Sequence, residues 1–343
     1  MNKVAFIITK SEIGGAQTWV RDQIKLLEKD IKPIVITNKP GWLSESLPDV
    51  AHYFLPEIES RFSFSALSKI VQHIKNNDID IVVASSANAG LYSRLAKLLT
   101  KFHCIYVSHG WSCLYNGGFA KPVFCFIETM LSYLSDSILC VSQRDYDNAV
   151  TKLHISEKCL VFVRNAVFPS KVNDSNSLQK FDKLKLLAVG RLAHPKRFDL
   201  LVEVVQHLPF VELTVVGNGP NGESLRHKKY ENINFVGEVK SFDDYHSFDA
   251  FILISDSEGL PMSALEAGVA QIPMILSDVG GCGELICKLN PNGILVLNDN
   301  QSISNAITNL FDNYTKFKHN ATIKSKDFDI NEFKPSYKKI YLS

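Results

Sequence analysis

Ala250-Phe-Ile-Leu-Ile254 leads into Ser255-Asp-Ser-Glu-Gly-Leu-Pro261, then Met262-Ser-Ala-Leu-Glu-Ala-Gly-Val269, then Ile272-Pro-Met-Ile-Leu276. The outer blocks are nearly continuous apolar runs, which suit strands covered on both faces. Met262–Val269 is a short helical pattern. Pro261 at its entrance is placed for the first turn, where a missing N–H costs nothing. Strand, loop, helix and strand at this spacing imply a parallel sheet with a crossover helix.

The same alternation runs outward in both directions. Upstream, Val4–Ile8, Ile34–Thr37, Ile81–Ala84, Cys104–Val107 and Ile138–Val141 read as buried strands. Helical patterns at Gln17–Leu27, Ser65–Ile74 and Ala89–Leu99 lie between them. A polar stretch from Pro169 interrupts the pattern. It restarts with Leu184–Val189, Leu213–Val216, Ile233–Val236 and Ile294–Val296, with a helix over Phe198–Gln206. The expectation is an α/β chain of two Rossmann-like domains facing each other across a cleft. The first covers residues 1–170, a linker 171–183, the second domain 184–316, and a closing helix or tail 317–343. A chain of 343 residues suits two domains.

Composition narrows the function. Hydrophobic residues make up 45% and charged residues 21%, which excludes a disordered or low-complexity chain. The net charge of +1 provides no global basic field for nucleic acid. No apolar run reaches the roughly 20 residues that cross a bilayer. Val4–Ile8 is too short for a signal-peptide core, so a cytoplasmic chain is expected. Seven Cys without a Cys-x-x-Cys pair read as reduced core thiols.

In open α/β sheets, ligands bind beyond the carboxyl ends of strands, so the loops there carry the chemistry. Ser11-Glu-Ile-Gly14-Gly15-Ala16 opens the first helix with paired glycines, and a plain tight turn accounts for it equally well. Ser108-His109-Gly110-Trp111 ends a strand with a histidine, and a loop histidine with a structural hydrogen bond is the competing reading. Gly190-Arg191-Leu-Ala-His-Pro-Lys196 brings two cations to one strand end, which suits a diphosphate, with a solvated basic turn as the competing reading. Gly217-Asn218-Gly219-Pro220 permits close backbone approach, which a nucleobase could use. The loop quoted first sets Glu258 and Glu266 to look toward one cleft, with the amides of Gly259, Leu260, Met262 and Ser263 as an anion seat. Asp278-Val-Gly-Gly-Cys-Gly-Glu284 again opens a helix with glycines.

In this order the loops resemble those of glycosyltransferase family 4, retaining enzymes of the GT-B fold. The resemblance covers most of the chain and is strongest over residues 185–287. It implies that Arg191 and Lys196 hold the diphosphate of a nucleotide-sugar donor and stabilise it as a leaving group, with Gly190 beside them. Glu266 would take the ribose hydroxyls. Glu258, with the amides of Gly259 and Leu260, would hold the donor sugar, approached by His109 from the N-terminal domain. Asn218, Gly219 and Val239 would lie near the base, and Gly15 near the phosphates or the acceptor. Asn165 matches a family hinge motif only loosely and receives no role. The implied mechanism is front-face attack, with a donor phosphate oxygen accepting the acceptor's proton. The pairs Asp78/Asp80, Asp145/Asp147 and Asp327/Asp329 read as solvated charges, so neither metal nor other cofactor is expected.

The acceptor is expected to meet the N-terminal half. Residues 1–170 hold 18 Lys and Arg against 15 Asp and Glu, a small positive excess. Arg94, Lys97 and Lys101, beside Leu91, Leu95, Leu98 and Leu99, read either as a face for an anionic membrane or as an ordinary surface helix with its leucines buried. The function expected is transfer of a hexose or N-acetylhexosamine, from a UDP-sugar, to a glycan acceptor. That acceptor would be a lipid-linked intermediate of surface polysaccharide such as O-antigen or capsule, on the inner face of the membrane. A nucleotide-sugar epimerase or phosphorylase of the same architecture competes with it, as does a non-catalytic nucleotide-sugar-binding module.

Overall fold

The apolar runs become parallel strands in two separate sheets. A computed structural model describes residues 1–60, 62–115, 120–172 and 182–342. The first sheet holds β1 (Lys3–Ile7), β2 (Lys32–Thr37), β3 (Ala51–Phe54), β4 (Ile81–Ala84), β5 (His103–Ser108), β6 (Ser137–Cys140) and β7 (Leu160–Phe162). Their order across the sheet is β3-β2-β1-β4-β5-β6-β7. The second sheet holds β8 (Leu184–Val189), β9 (Val211–Val216), β10 (Ile233–Gly237), β11 (Ala250–Leu253), β12 (Met274–Ser277) and β13 (Gly293–Val296). Their order is β10-β9-β8-β11-β12-β13. Chain order reverses between β1 and β4 in one sheet and between β8 and β11 in the other, and such reversals open a crevice at the strands' carboxyl ends. The strands flanking each reversal are almost wholly apolar and buried, as helices on both faces demand.

The chain divides into two compact units, Met1–Asn165 with Phe333–Ser343, and Ala166–Glu332. The expected linker 171–183 falls largely on residues outside those described. The expected terminal segment 317–343 is shared between the units. The helix Tyr314–Lys324 serves the second: Lys318 Nζ donates to Gln271 O at 3.0 Å, and Asn320 Nδ2 to Pro291 O at 3.0 Å. The helix Lys334–Leu342 serves the first, burying Tyr337 and Tyr341 completely. Tyr337 meets the Trp19 ring at 6.4 Å and Tyr341 the Phe6 ring at 6.1 Å.

Two expectations about charged residues are corrected. Arg94 does not face solvent: it is 0% exposed in the helix Ala87–Ala96. Its Nε donates to Gly90 O at 2.9 Å, its Nη1 to Glu128 at 3.0 Å, and its guanidinium lies 4.2 Å from the Tyr106 ring centre. Lys97 is paired with Asp136, while Leu98 and Leu99 are exposed. The helix therefore turns its arginine inward, against both sequence readings, and leaves Leu98 and Leu99 outward at its end, against the reading that buries its leucines. Asp145, read as solvated, is buried at the start of the helix Gln143–Thr151, where its N–H is capped by Ser142 Oγ at 3.0 Å. The cysteines are free thiols, four of them buried, and burial pushes Cys104 up to about 12.

Candidate active site

In the second unit the loops after β8 and β11 are neighbours because those strands pair directly. Backbone bonds join them: Arg197 N donates to Ile254 O at 2.9 Å, and Asp256 N to Pro195 O at 2.9 Å. Lys196 and Ser255 form an antiparallel bridge. This stitching delivers Lys196 Nζ to Glu258 Oε1 at 2.5 Å, with the two side chains only 18% and 10% exposed. The residues expected to hold diphosphate and sugar thus form an ion pair. Arg191 is exposed, and its guanidinium meets no carboxylate among the described residues. Among the described residues it is the loop's cation without an ion pair, five positions before the paired Lys196.

The glycines of this region are spent on backbone contact. Gly217, at φ +140, lies so near the Gly190 carbonyl that a Cβ would stand 1.9 Å from its oxygen. Leu192 N donates to Asn218 O at 3.0 Å and Asn221 N to Leu192 O at 2.9 Å, so the Gly190 and Gly219 loops zip together. Asn218 and Val239 remain exposed beside them. Gly280, at φ +54, sits against the Glu258 carbonyl at a distance that leaves 1.8 Å for a Cβ, and Gly281 N donates to Gly259 O at 2.8 Å. Only glycine meets both demands at position 280. Leu260 is buried in the core below.

Glu258 stands on the loop before the helix Met262–Val269, and Glu266 on the helix itself. Pro261 is the residue before the first turn, with extended ψ of 123°, one place earlier than the sequence suggests. The buried Tyr245 hydroxyl donates to Glu266 Oε2 at 2.5 Å, which aims that carboxylate. Burial, and then the charge of Glu266, hold the Tyr245 phenol well above its ordinary range, so it stays a donor. Beneath the Glu258 loop, Ser277 Oγ accepts from Ser255 N at 2.9 Å and donates to Asn298 Oδ1 at 2.6 Å. Asn298 Nδ2 donates to Ser255 O at 2.9 Å. Sequence reasoning missed Tyr245, Ser277 and Asn298. For the last two a signal existed: each is the polar residue at or just past the end of an apolar strand.

In the first unit, Gly14 caps and Gly15 begins the helix Gly15–Leu26 after β1. His109 follows β5, with Nε2 2.7 Å from Ser85 Oγ beyond β4 and its ring 5.3 Å from that of Trp19. Gly110, at φ +108, makes the turn behind it. Desolvation pulls the His109 pKa down to about 4 from 6.5. The imidazole is therefore neutral at physiological pH and fixed by Ser85. The linkage sign follows from the lowered folded value. Stability is full above pH 6.5 and is lost as pH falls through about 4, by up to about 3 kcal/mol. A His109→Gln variant should lack that loss. Urea midpoints by tryptophan fluorescence between those pH values measure it, and parallel curves would remove the argument.

Residues 13–171 match the model of Glycosyltransferase Family 4, and residues 183–313 that of Glycosyl transferases group 1. Over its full length the chain is 46% identical to the whole of WbnH, an O-antigen biosynthesis glycosyltransferase of Escherichia coli. The chain belongs to glycosyltransferase family 4. As a family 4 enzyme it acts with retention, which decides among the readings left open by the sequence in favour of the transferase. The transferase is also 22% identical, over 90% of its length and 88% of the relative, to the UDP-Gal:alpha-D-GlcNAc-diphosphoundecaprenol alpha-1,3-galactosyltransferase of Escherichia coli. Its GT-B fold matches Anabaena HepE, solved in complex with UDP and glucose, with a TM-score of 0.83 at 17% identity over all of both chains. No helix among the described residues of the transferase is long and apolar enough to cross a membrane.

Proposed function

We propose that this family 4 enzyme moves a hexose or N-acetylhexosamine from a UDP-sugar to a hydroxyl of a lipid-linked O-antigen intermediate, at the cytoplasmic face of the membrane. The observation that carries the reading is the Lys196–Glu258 pair at the switch of strand order, with the Tyr245-held Glu266 on the helix that follows. An ion pair that is nearly desolvated but lies on loops is a poor source of stability and a good seat for a charged ligand. The O-antigen role of the 46%-identical relative supports the pathway, and the diphosphoundecaprenol substrate in the name of the 22%-identical one supports a lipid-linked acceptor.

The chemistry follows from the charges. As the anomeric bond lengthens, negative charge grows on the leaving diphosphate. On donor binding, before that bond lengthens, Lys196 has already exchanged its bond to Glu258 for phosphate oxygens, joined by Arg191 and by the amides at Gly259 and Leu260. Cations and dipoles already in place there stabilise the transition state without reorganisation. Glu258, released, accepts from the donor sugar's hydroxyls. Glu266 accepts from the ribose, while Gly190, Asn218, Gly219 and Val239 border the nucleotide. His109 is assigned to the donor sugar and Gly15 to the phosphates or the acceptor. A neutral His109 donates a hydrogen bond without adding a positive charge beside an oxocarbenium-like centre. Retention arises by front-face attack, with a donor phosphate oxygen taking the acceptor's proton, and no metal is called for.

The test is a panel of nucleotide sugars, assayed for nucleotide release with and without the lipid-linked acceptor. A UDP-sugar should raise the melting temperature by mass action and release UDP only with acceptor present. Indifference to every activated sugar would end the reading.

A further inference from the structure

The helix Lys121–Ser132 is built inside out. Its polar residues face the protein: Glu128 is bonded to the buried Arg94, Thr129 Oγ1 donates to Leu153 O at 2.8 Å, and Ser132 is buried. Apart from the buried Leu131 and from Cys125, which packs on the core, its large apolar residues face away. Val123, Phe124, Phe126, Ile127 and Met130, with Tyr133 just beyond, are between 42% and 75% exposed. Burial normally runs the other way, and a contiguous apolar face of this kind marks a surface that meets something.

The surrounding charge says what. Glu128 is the one carboxylate between Lys121 and Ser135, and Arg94 neutralises it from within. Lys121, at the start of the helix, and Lys101, beyond the end of the neighbouring helix, are exposed and make no ion pair among the described residues. Leu98 and Leu99, just before Lys101 in the chain, are exposed as well. An apolar, aromatic face with exposed lysines at its start and on the neighbouring segment, and with its nearby carboxylates Glu128 and Asp136 already paired with Arg94 and Lys97, complements anionic lipid headgroups over acyl chains. A second copy of the chain fits worse: in a self-complementary seam the nearby carboxylates, Glu128 and Asp136, are already paired with Arg94 and Lys97 and leave these lysines unmet.

We infer that the outward face of the helix Lys121–Ser132, with Lys101 and Lys121 at its margin, docks the enzyme on an anionic membrane surface. It keeps Lys101 from the basic pattern read in the sequence, while the buried Arg94 and the paired Lys97 give way to the helix Lys121–Ser132. The inference stands on this surface alone and goes beyond the donor and acceptor assigned above.

The experiment is co-sedimentation of the full chain with vesicles of phosphatidylcholine alone, or of phosphatidylcholine with phosphatidylglycerol in equal parts. The parent should sediment with the anionic vesicles and little with the neutral ones. Phe126→Ser/Ile127→Ser should weaken this about tenfold or more through lost apolar burial. Lys101→Glu/Lys121→Glu should weaken it comparably and only at low salt. All four side chains are exposed, so both variants keep the parent's folded contacts. The inference is overturned by absence of binding to anionic vesicles, by equal binding of parent and variants, or by equal binding to both lipids. A parent dimer in light scattering that Phe126→Ser/Ile127→Ser converts to monomer would assign the face to a second copy instead. Vesicle binding needs neither donor nor acceptor, so it can fail or succeed independently of the transfer reaction.

Discussion

A Lys196→Ala enzyme should turn over about 10²–10³-fold more slowly than the parent at saturating nucleotide sugar, the loss expected when one preorganised donor to a developing anion is removed. The side chain sits 2.5 Å from Glu258 and is four-fifths buried, so its charge acts in a poorly screened place. A purely structural pair would behave differently. Removing Lys196 alone strands the Glu258 carboxylate, which costs stability as well as rate. The Lys196→Ala/Glu258→Ala double variant leaves no stranded charge and should recover most of the lost urea midpoint. It should nonetheless remain as slow as the single variant. Recovery of kcat in the double variant would mean that the lysine merely neutralises a carboxylate.

The second large effect is on stability. Glu128→Ala should lower the unfolding free energy by about 3–5 kcal/mol, the usual cost of leaving a buried charge without its partner. Arg94 is 0% exposed, whereas Glu128 is 14% exposed. Deleting the glutamate therefore isolates a cation that cannot reach water. Arg94→Met should cost less, because Glu128 can turn outward and methionine keeps much of the packing against Tyr106. All three tryptophans lie in the first unit, so urea melts followed by tryptophan fluorescence report on it directly. The opposite order of damage would contradict this account of the pair.

Much of the fold is legible in residue order, and the departures have physical causes. The strands next to each reversal of chain order are buried over most of their length, so they write themselves as nearly unbroken apolar runs. β3 and β7 lie at the sheet's margins, and their half-exposed residues, Ala51-His-Tyr-Phe54 and Leu160-Val-Phe162, form no such run. Pattern reading passed over both. The loop motifs were readable because glycine and charge cluster where strands end. Their internal pairing was not: nothing in sequence spacing says that Lys196 meets Glu258 rather than solvent. Tyr245 escaped notice because an isolated aromatic before a strand resembles any core residue. Arg94 misled because its partner Glu128 is distant in sequence, so a cation in an amphipathic pattern looked solvated. The exposure of the helix Lys121–Ser132 is visible only once its polar side chains are seen to be occupied within.

The helix Lys334–Leu342 packs onto the unit that contains the start of the chain. Asn2 Nδ2 donates to Tyr341 O at 3.0 Å, and Lys338 pairs with Asp30 at 2.7 Å. Synthesis on the ribosome therefore makes the first unit's sheet early and its last helix late. While the second unit is being translated and folds, Phe6 and Trp19 wait without the two tyrosines that cover them. The nascent chain thus carries an unfinished apolar surface until Tyr337 and Tyr341 leave the exit tunnel.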